Sequence, residues 1–295
     1  MVTSHLDKLT AAIQNPKCRS DLPVLRDALA LYQQWVSEME SLTSIGRQRV
    51  DEMVALLNRY KDTLEVDLMM KRASAFLRRQ KGQLKLDNSV LEEFIARLVR
   101  PEIIQGLGET RFKTGPQNAF MSLSFRPRGF SSLGGQPEVV VKTKDQDFVL
   151  GSEIHYKFSS HPQFEAAATT TGSFVLAVLA AEIKVNLDKT MFQEAAGTAT
   201  RLKLGCPVSR YFVLVEYLDM TPEDSRLTDI DNVFLLRHTR RLPQDKRPIP
   251  EDVERQHREY PIDPEVVWMF VREIQTFVSA VWYDPDEALR RGSFA

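Results

Sequence analysis

Residues 173–205, SFVLAVLAAEIKVNLDKTMFQEAAGTATRLKLG, set the architecture that the rest of the chain follows. The first half, residues 174–187, is apolar except at Glu182, Lys184 and Asn186. These three are spaced by two, so on a strand they project from one face while Ile183, Val185 and Leu187 project from the other. A carboxylate and an ammonium rising from so apolar a run are costly unless partnered. Asp188 is placed to cap a helix over residues 189–204, where Met191, Phe192, Ala195, Ala199 and Leu202 follow helical spacing and Gly205 is a natural stop. A second apolar strand follows at residues 210–218, RYFVLVEYL. The unit is strand–helix–strand, with Glu-x-Lys on its first strand.

Upstream, residues 138–142 and 147–158 read as a strand pair joined by a turn around residues 144–146, and residues 160–171 as a connector. Residues 106–137, rich in Gly, Pro, Ser and Phe, read as a long irregular segment with a strand at 119–125; such loops often carry function. Residues 1–105 read as helical. Asp21 is expected to cap a helix over 22–42, and a longer pattern from Ser44 or Ile45 runs, with a break, to about Arg79. Asn88 or Ser89 caps another over 90–99, with Glu92 and Glu93 in its first turn. Downstream come an acidic segment at 222–231, a short strand at 233–237, a Pro-rich charged linker at 240–258 and an amphipathic helix at 264–281. The expected architecture is α/β: a mixed central β-sheet flanked by helices, after a helical N-terminal region.

The chain has 295 residues, 43% of them hydrophobic, enough for one large core or two lobes. Its net charge of −1 supplies no global field for nucleic acid, so DNA would have to be met by local basic patches. Cys18 and Cys206 show no zinc or redox spacing, and no signal peptide is evident. These features read as a cytoplasmic chain with free thiols. No apolar run is long and charge-free enough to span a bilayer. The histidines show no ligand spacing, and no Gly-rich phosphate loop or Ser-His-Asp context is present.

The strand–helix–strand unit with Glu-x-Lys resembles the PD-(D/E)XK nuclease superfamily, in which acidic residues on adjacent strands and the Glu-x-Lys hold a divalent metal. By itself Glu-x-Lys means little, since a chain of this length contains roughly one by composition. The longer runs EIKVNLDKTMFQEAAGTA (182–199) and VEYLDMTPED (215–224) resemble the type II restriction endonucleases that cut the asymmetric site CCTNAGC. DQDFVLGSEIHYKFS (145–159) and TGPQNAFMSLSF (114–125) add to the similarity, which covers residues 106–242. On this reading residues 1–105 are a helical region, 106–242 the nuclease core, and 243–295 a linker and helix packed on it.

The resemblance implies a Mg²⁺-dependent endonuclease, or one subunit of one, of a restriction-modification system. It also implies asymmetric recognition of double-stranded DNA by two related subunits, each cutting one strand. The partner is a copy or a paralogue. Asp147 and Glu182, with the carbonyl of Ile183, would hold the metal, and Lys184 would orient or deprotonate the attacking water. Asp147 opens a strand whose pairing would bring it near Glu182; Asp145 and Glu153 are its rivals. Gln193 and Glu194, one turn into the helix, are either near the site or a solvated first-turn pair. Glu216 reads as an ordinary sheet-edge charge.

Three basic sets could meet DNA. Lys71, Arg72, Arg78, Arg79, Lys81 and Lys85 have no acid between them, and as a helix face they read as general attraction at most. Arg237, His238, Arg240 and Arg241 form another set. The better candidates for base readout are Arg111, Lys113, Gln117, Asn118, Arg126 and Arg128, because Arg pairs with guanine and Asn or Gln with adenine. Two other readings stand beside the restriction enzyme: a repair or recombination nuclease on the same core, and a non-catalytic DNA-binding subunit.

Overall fold

The computed structural model describes residues 2–107, 112–126, 129–132, 138–280 and 285–292. A five-stranded sheet runs in the order β1 (Lys113–Phe125), β2 (Val139–Ser159), β3 (Thr169–Leu187), β4 (Arg210–Leu218), β5 (Asn232–Leu235). β2 pairs antiparallel with both β1 and β3, whereas β3, β4 and β5 pair parallel. The helix α6 (Lys189–Gly205) makes the crossover between β3 and β4 that parallel neighbours need.

Asp188 caps α6, its carboxylate accepting the Met191 N–H at 2.8 Å. Gly205 closes the helix against β1, where a Cβ would stand 2.8 Å from the Met121 carbonyl oxygen; only glycine allows that approach. Gly151, at the register shift between β2 and β3, is required in the same way: its Cβ would lie 2.3 Å from the Leu176 carbonyl oxygen.

The sheet is covered on both faces. On one, Phe148, Leu150, Leu179, Ala181, Ile183, Phe212, Leu214 and Phe234 share a single core with the N-terminal helices and with α8 (Pro264–Ser279). Those helices are α1 (Ser4–Gln14), α2 (Leu22–Ser41), α3 (Gly46–Lys61), α4 (Ala75–Gln80) and α5 (Asn88–Leu98). On the other face, Ala180, Val213 and Val215 pack under Phe192, Ala195, Ala199 and Leu202 of α6. Two further helices are α7 (Pro250–Glu259) and α9 (Pro285–Arg291).

Several local expectations are corrected. No turn interrupts residues 144–146: Lys144, Asp145 and Gln146 pair with Ala119, Asn118 and Gln117 inside one continuous strand, β2. The strand expected at 119–125 is there but starts earlier, as the 13-residue β1. The linker at 240–258 carries α7, because Pro250 sits in its first turn, where its missing N–H costs nothing. Glu251 and Asp252 at its start and His257 and Arg258 at its end match the helix dipole. α3 runs on into a π-helix, Asp62–Met70.

Asp21 makes no capping bond to α2; it accepts from Ser74 N and Oγ, both at 2.7 Å, tying two distant segments. Asp87 is the cap of α5, so Glu92 and Glu93 fall in its second turn, and both are buried.

Candidate active site

The last ladder pair between β2 and β3 is Phe148 with Ala181. Beyond it the Ile183 N–H donates to a side chain instead of a neighbouring backbone, reaching Asp147 Oδ2 at 2.9 Å. The same oxygen lies 3.3 Å from Lys184 Nζ, and Glu182 Oε1 lies 3.1 Å from that ammonium. Asp147, Glu182 and Lys184 thus meet on one cation. A residue's N–H and C=O point to the same edge of a strand, so the Ile183 carbonyl opens toward Asp147 as well.

Burial alone would lower the Lys184 pKa, but the Asp147 and Glu182 carboxylates outweigh it and hold the ammonium above the ordinary lysine value. Lys184 is therefore a hydrogen-bond donor as it stands.

Sequence reasoning missed two residues here. Tyr211, on β4, is fully buried and donates from its hydroxyl to Glu182 Oε2 at 3.0 Å. It was hidden in RYFVLVEYL, where a tyrosine reads as one more apolar strand residue. The available signal was parity: β3 and β4 pair Glu182 with Val213, which puts Tyr211 on the same face two residues away. Glu92 of α5 is the other. Burial raises its pKa, the nearby Asp147 charge raises it further, and Lys85, Asn88 and Lys184 oppose the rise. No local pattern could have joined α5 to β2.

Asp147 and Glu92 open onto a cavity of about 610 Å³, lined also by Lys8, Lys85, Gln117, Asn118 and Asp145. Of the rival carboxylates, Asp145 lines this cleft without an ion pair to Lys184, and Glu153 is elsewhere. Glu153 lies six residues along β2 from Asp147, roughly 20 Å away, and is paired with Lys113 at 3.1 Å. Gln193 and Glu194 are exposed on α6, and among the described residues their side chains make no hydrogen bond or ion pair with Asp147, Glu182 or Lys184. The helix reaches toward β2 through Thr198, which accepts a short hydrogen bond from Lys144 and whose hydroxyl donates to the Glu194 carbonyl.

Of the expected readout residues, Gln117 and Asn118 face the cleft. Lys113 is taken up by Glu153, and Arg126 by Glu138 at 2.5 Å. Arg111 and Arg128 lie outside the described residues. Glu216 is no sheet-edge charge: it is fully buried, 3.0 Å from Lys61 Nζ and 2.9 Å from Arg237 Nε. That pairing also takes Arg237 out of the basic set at 237–241.

Among the described residues no three His, Cys, Asp or Glu side chains converge as a closed metal cage. The donor set that does exist, two carboxylates and a strand carbonyl beside an open cleft, is all oxygen. Such a set suits Mg²⁺, which takes one or two carboxylates and keeps several waters.

A mixed sheet with a carboxylate–lysine edge is the arrangement that the nuclease resemblance implied. The model of the Bpu10I restriction endonuclease family matches residues 83–294, and the chain belongs to that family. It is a type II site-specific deoxyribonuclease, and its substrate is DNA. A chain of the native BbvCI A2B2 tetramer, solved at low resolution, has the same fold: TM-score 0.67 at 18% identity, over 96% of this chain and 100% of that one. No curated protein matches the sequence. Among the described residues no helix is long and apolar enough to cross a membrane, and Cys18 and Cys206 are buried, free thiols.

Proposed function

We propose that Asp147, Glu182 and Lys184 cut the phosphodiester bond, and that the enzyme is Mg²⁺-dependent. The observation that supports this most is the Lys184 ammonium shared between the two carboxylates at 3.3 and 3.1 Å. Asp147, Glu182 and the Ile183 carbonyl would hold Mg²⁺, which when bound supplies charge stabilisation at the scissile phosphate and acidifies water. Lys184 would donate hydrogen bonds that orient the attacking water and meet the negative charge growing on the phosphate. Tyr211 fixes the rotamer of Glu182 through its hydroxyl, and Glu92 adds a further carboxylate beside Asp147. Gln193 and Glu194 stay outside this set.

Gln117 and Asn118, with Arg111, Lys113, Arg126 and Arg128, are proposed to read an asymmetric site, CCTNAGC by the resemblance of residues 182–199 and 215–224. A second nuclease subunit, a copy or a paralogue, would cut the other strand; the A2B2 assembly of BbvCI favours a partnered enzyme. The proposed division is a helical region at 1–105, a core at 106–242 and a packed C-terminal segment at 243–295. The proposed setting is the prokaryotic cytoplasm, within a restriction-modification system.

The test is digestion of unmethylated phage DNA with Mg²⁺ or with EDTA, by wild type and Glu182→Ala. Discrete Mg²⁺-dependent fragments, lost in the variant, are expected, with ends that map to CCTNAGC. Equal cutting by the variant would remove Glu182 from the mechanism, and ends at another sequence would remove the proposed site.

A further inference from the structure

The basic run at residues 71–85 does not behave as one solvated helix face. Three of its six cations are engaged by carboxylates: Lys71 by Asp67 and Glu254, Arg72 by Asp27, and Lys85 by Glu92 at 3.7 Å. Arg78, Arg79 and Lys81 have no ion pair among the described residues. All three line one groove of about 530 Å³, which is lined also by Arg247, from a segment far later in the chain. Met70 and Pro248 contribute apolar surface, and among the described residues no acidic side chain lines the groove. Arg247 also reaches Asp219 at 3.4 Å, a carboxylate it shares with Arg241. In a chain of net charge −1, three cations without an ion pair among the described residues, with Arg247 from a distant segment beside them, line an acid-free groove and form a local site of attraction for an anion.

We propose that this groove binds the phosphodiester backbone of the DNA substrate, outside the cleft where cutting takes place. Continuity favours DNA over a small anion or an acidic protein. From Lys81, on the groove, the chain needs four residues to reach Lys85, which lines the catalytic cleft with Glu92 and Asp147. A duplex strand presents one phosphate per roughly 3.4 Å of its axis, so a strand leaving the cleft past Lys85 can meet the groove cations in turn. Cations of this kind read no bases; they add affinity and set the direction of the flanking duplex. Arg78, Arg79 and Lys81 precede the family match, which begins at residue 83. The proposal rests on DNA as the substrate and is independent of which residues carry out the chemistry.

The experiment measures binding to a mixed-sequence duplex by fluorescence anisotropy, without divalent metal and across a salt series. Each phosphate contact contributes about 0.9 to the slope of log K against log salt. Arg78→Ala/Arg79→Ala/Lys81→Ala is expected to lower that slope by about 2 to 3, and Arg247→Gln, from the later segment, by about 1. Arg78→Lys/Arg79→Lys should keep the wild-type slope, separating charge from folding. Arg59→Ala/Arg226→Ala/Arg272→Ala removes equal charge from exposed positions that line neither the groove nor the cleft, and should leave the slope unchanged.

An unchanged slope in the groove triple, or an equal fall in the control triple, overturns the proposal. So does a change in sedimentation of the groove triple without a change in slope, which would make the groove a subunit surface. The two readings fail separately. Cutting by Glu182→Ala equal to that of wild type defeats the catalytic assignment, while cutting with an intact slope in the groove triple defeats only the groove.

Discussion

Glu182 on β3 and Glu216 on β4 are carboxylates on neighbouring parallel strands, and each ion-pairs with a lysine. They face opposite sides of the sheet. Glu216 shares its parity with Phe212 and Leu214, on the face covered by the N-terminal helices, whereas Glu182 points away from the face of Ala181 and Ile183. Around Glu216, Lys61 and Arg237 are fully buried, Glu65 pairs with Lys61, and the two cations balance the two carboxylates. Around Glu182 the side chains keep contact with water: Lys184 is 32% exposed, Glu182 19% and Asp147 15%. Here two carboxylates share one ammonium, leaving a negative surplus at an open cleft.

A buried, balanced network has no need of another ion and no path for one, while a wetted, unbalanced set invites a cation. The same residue types serve both. Burial and charge balance decide which cluster is structural and which is chemical.

If that distinction holds, the greatest change should come from Glu182→Ala or Asp147→Ala, which should lower cleavage by about 10²- to 10³-fold or more. Plasmid nicking rates measure this, and thermal melting should show a loss limited to the donor left unpaired, the Ile183 N–H or the Tyr211 hydroxyl, about 1–3 kcal/mol. A large destabilisation would make the two clusters alike.

Glu216→Ala should do the reverse. It strands Lys61 and Arg237 without their shared anion, at a cost of about 3–5 kcal/mol by urea unfolding. Nicking per folded molecule should stay near the wild-type rate; a direct loss there would mean that Glu216 acts in the chemistry.

A third buried group extends the test to pH. His5, held between Ser89 Oγ at 2.8 Å and Tyr60 OH at 2.6 Å, has its pKa lowered from 6.5 to about 3, chiefly by burial. Above the unfolded value of 6.5 neither state is protonated there, so its contribution is fully present. Below that pH the unfolded chain takes up a proton that the folded chain refuses, and stability falls by up to about 1.4 kcal/mol per pH unit until about pH 3. Urea midpoints measured between these pH values should follow this slope, and His5→Gln should flatten it. A slope unchanged in that variant would assign the acid limb to other groups.

Tyr211→Phe should act most mildly, since it removes one hydrogen bond to Glu182. Cleavage should fall about 10- to 100-fold, in the range seen when a group supporting a metal ligand is lost. A Mg²⁺ titration of the rate should show a weakened metal dependence, a readout that a purely structural hydroxyl would not move.

Much of this was legible one element at a time. The capping Asp188, the helical stripe from Met191 to Leu202 and the β4 run from Arg210 to Leu218 each carry a local pattern, and the structure has α6 and β4 there. The turn expected at residues 144–146 failed because a polar patch inside a hairpin has the same composition as a turn. Glu92 and Glu93 read only as first-turn acids because nothing local tells which helix face is buried by a sheet far along the chain.

Local pattern was enough to specify the mixed α/β architecture and to put Glu182 and Lys184 on one strand face, because side-chain parity along a strand needs no distant partner. Which other groups join them was settled by the assembled fold. Asp147 reaches Ile183 and Lys184 where the β2–β3 ladder ends, Tyr211 reaches Glu182 across a parallel pair, and Glu216 is drawn into the core. Those outcomes depend on strand register and on which helix covers which face. Both are fixed by long-range packing that no single stretch of the chain encodes.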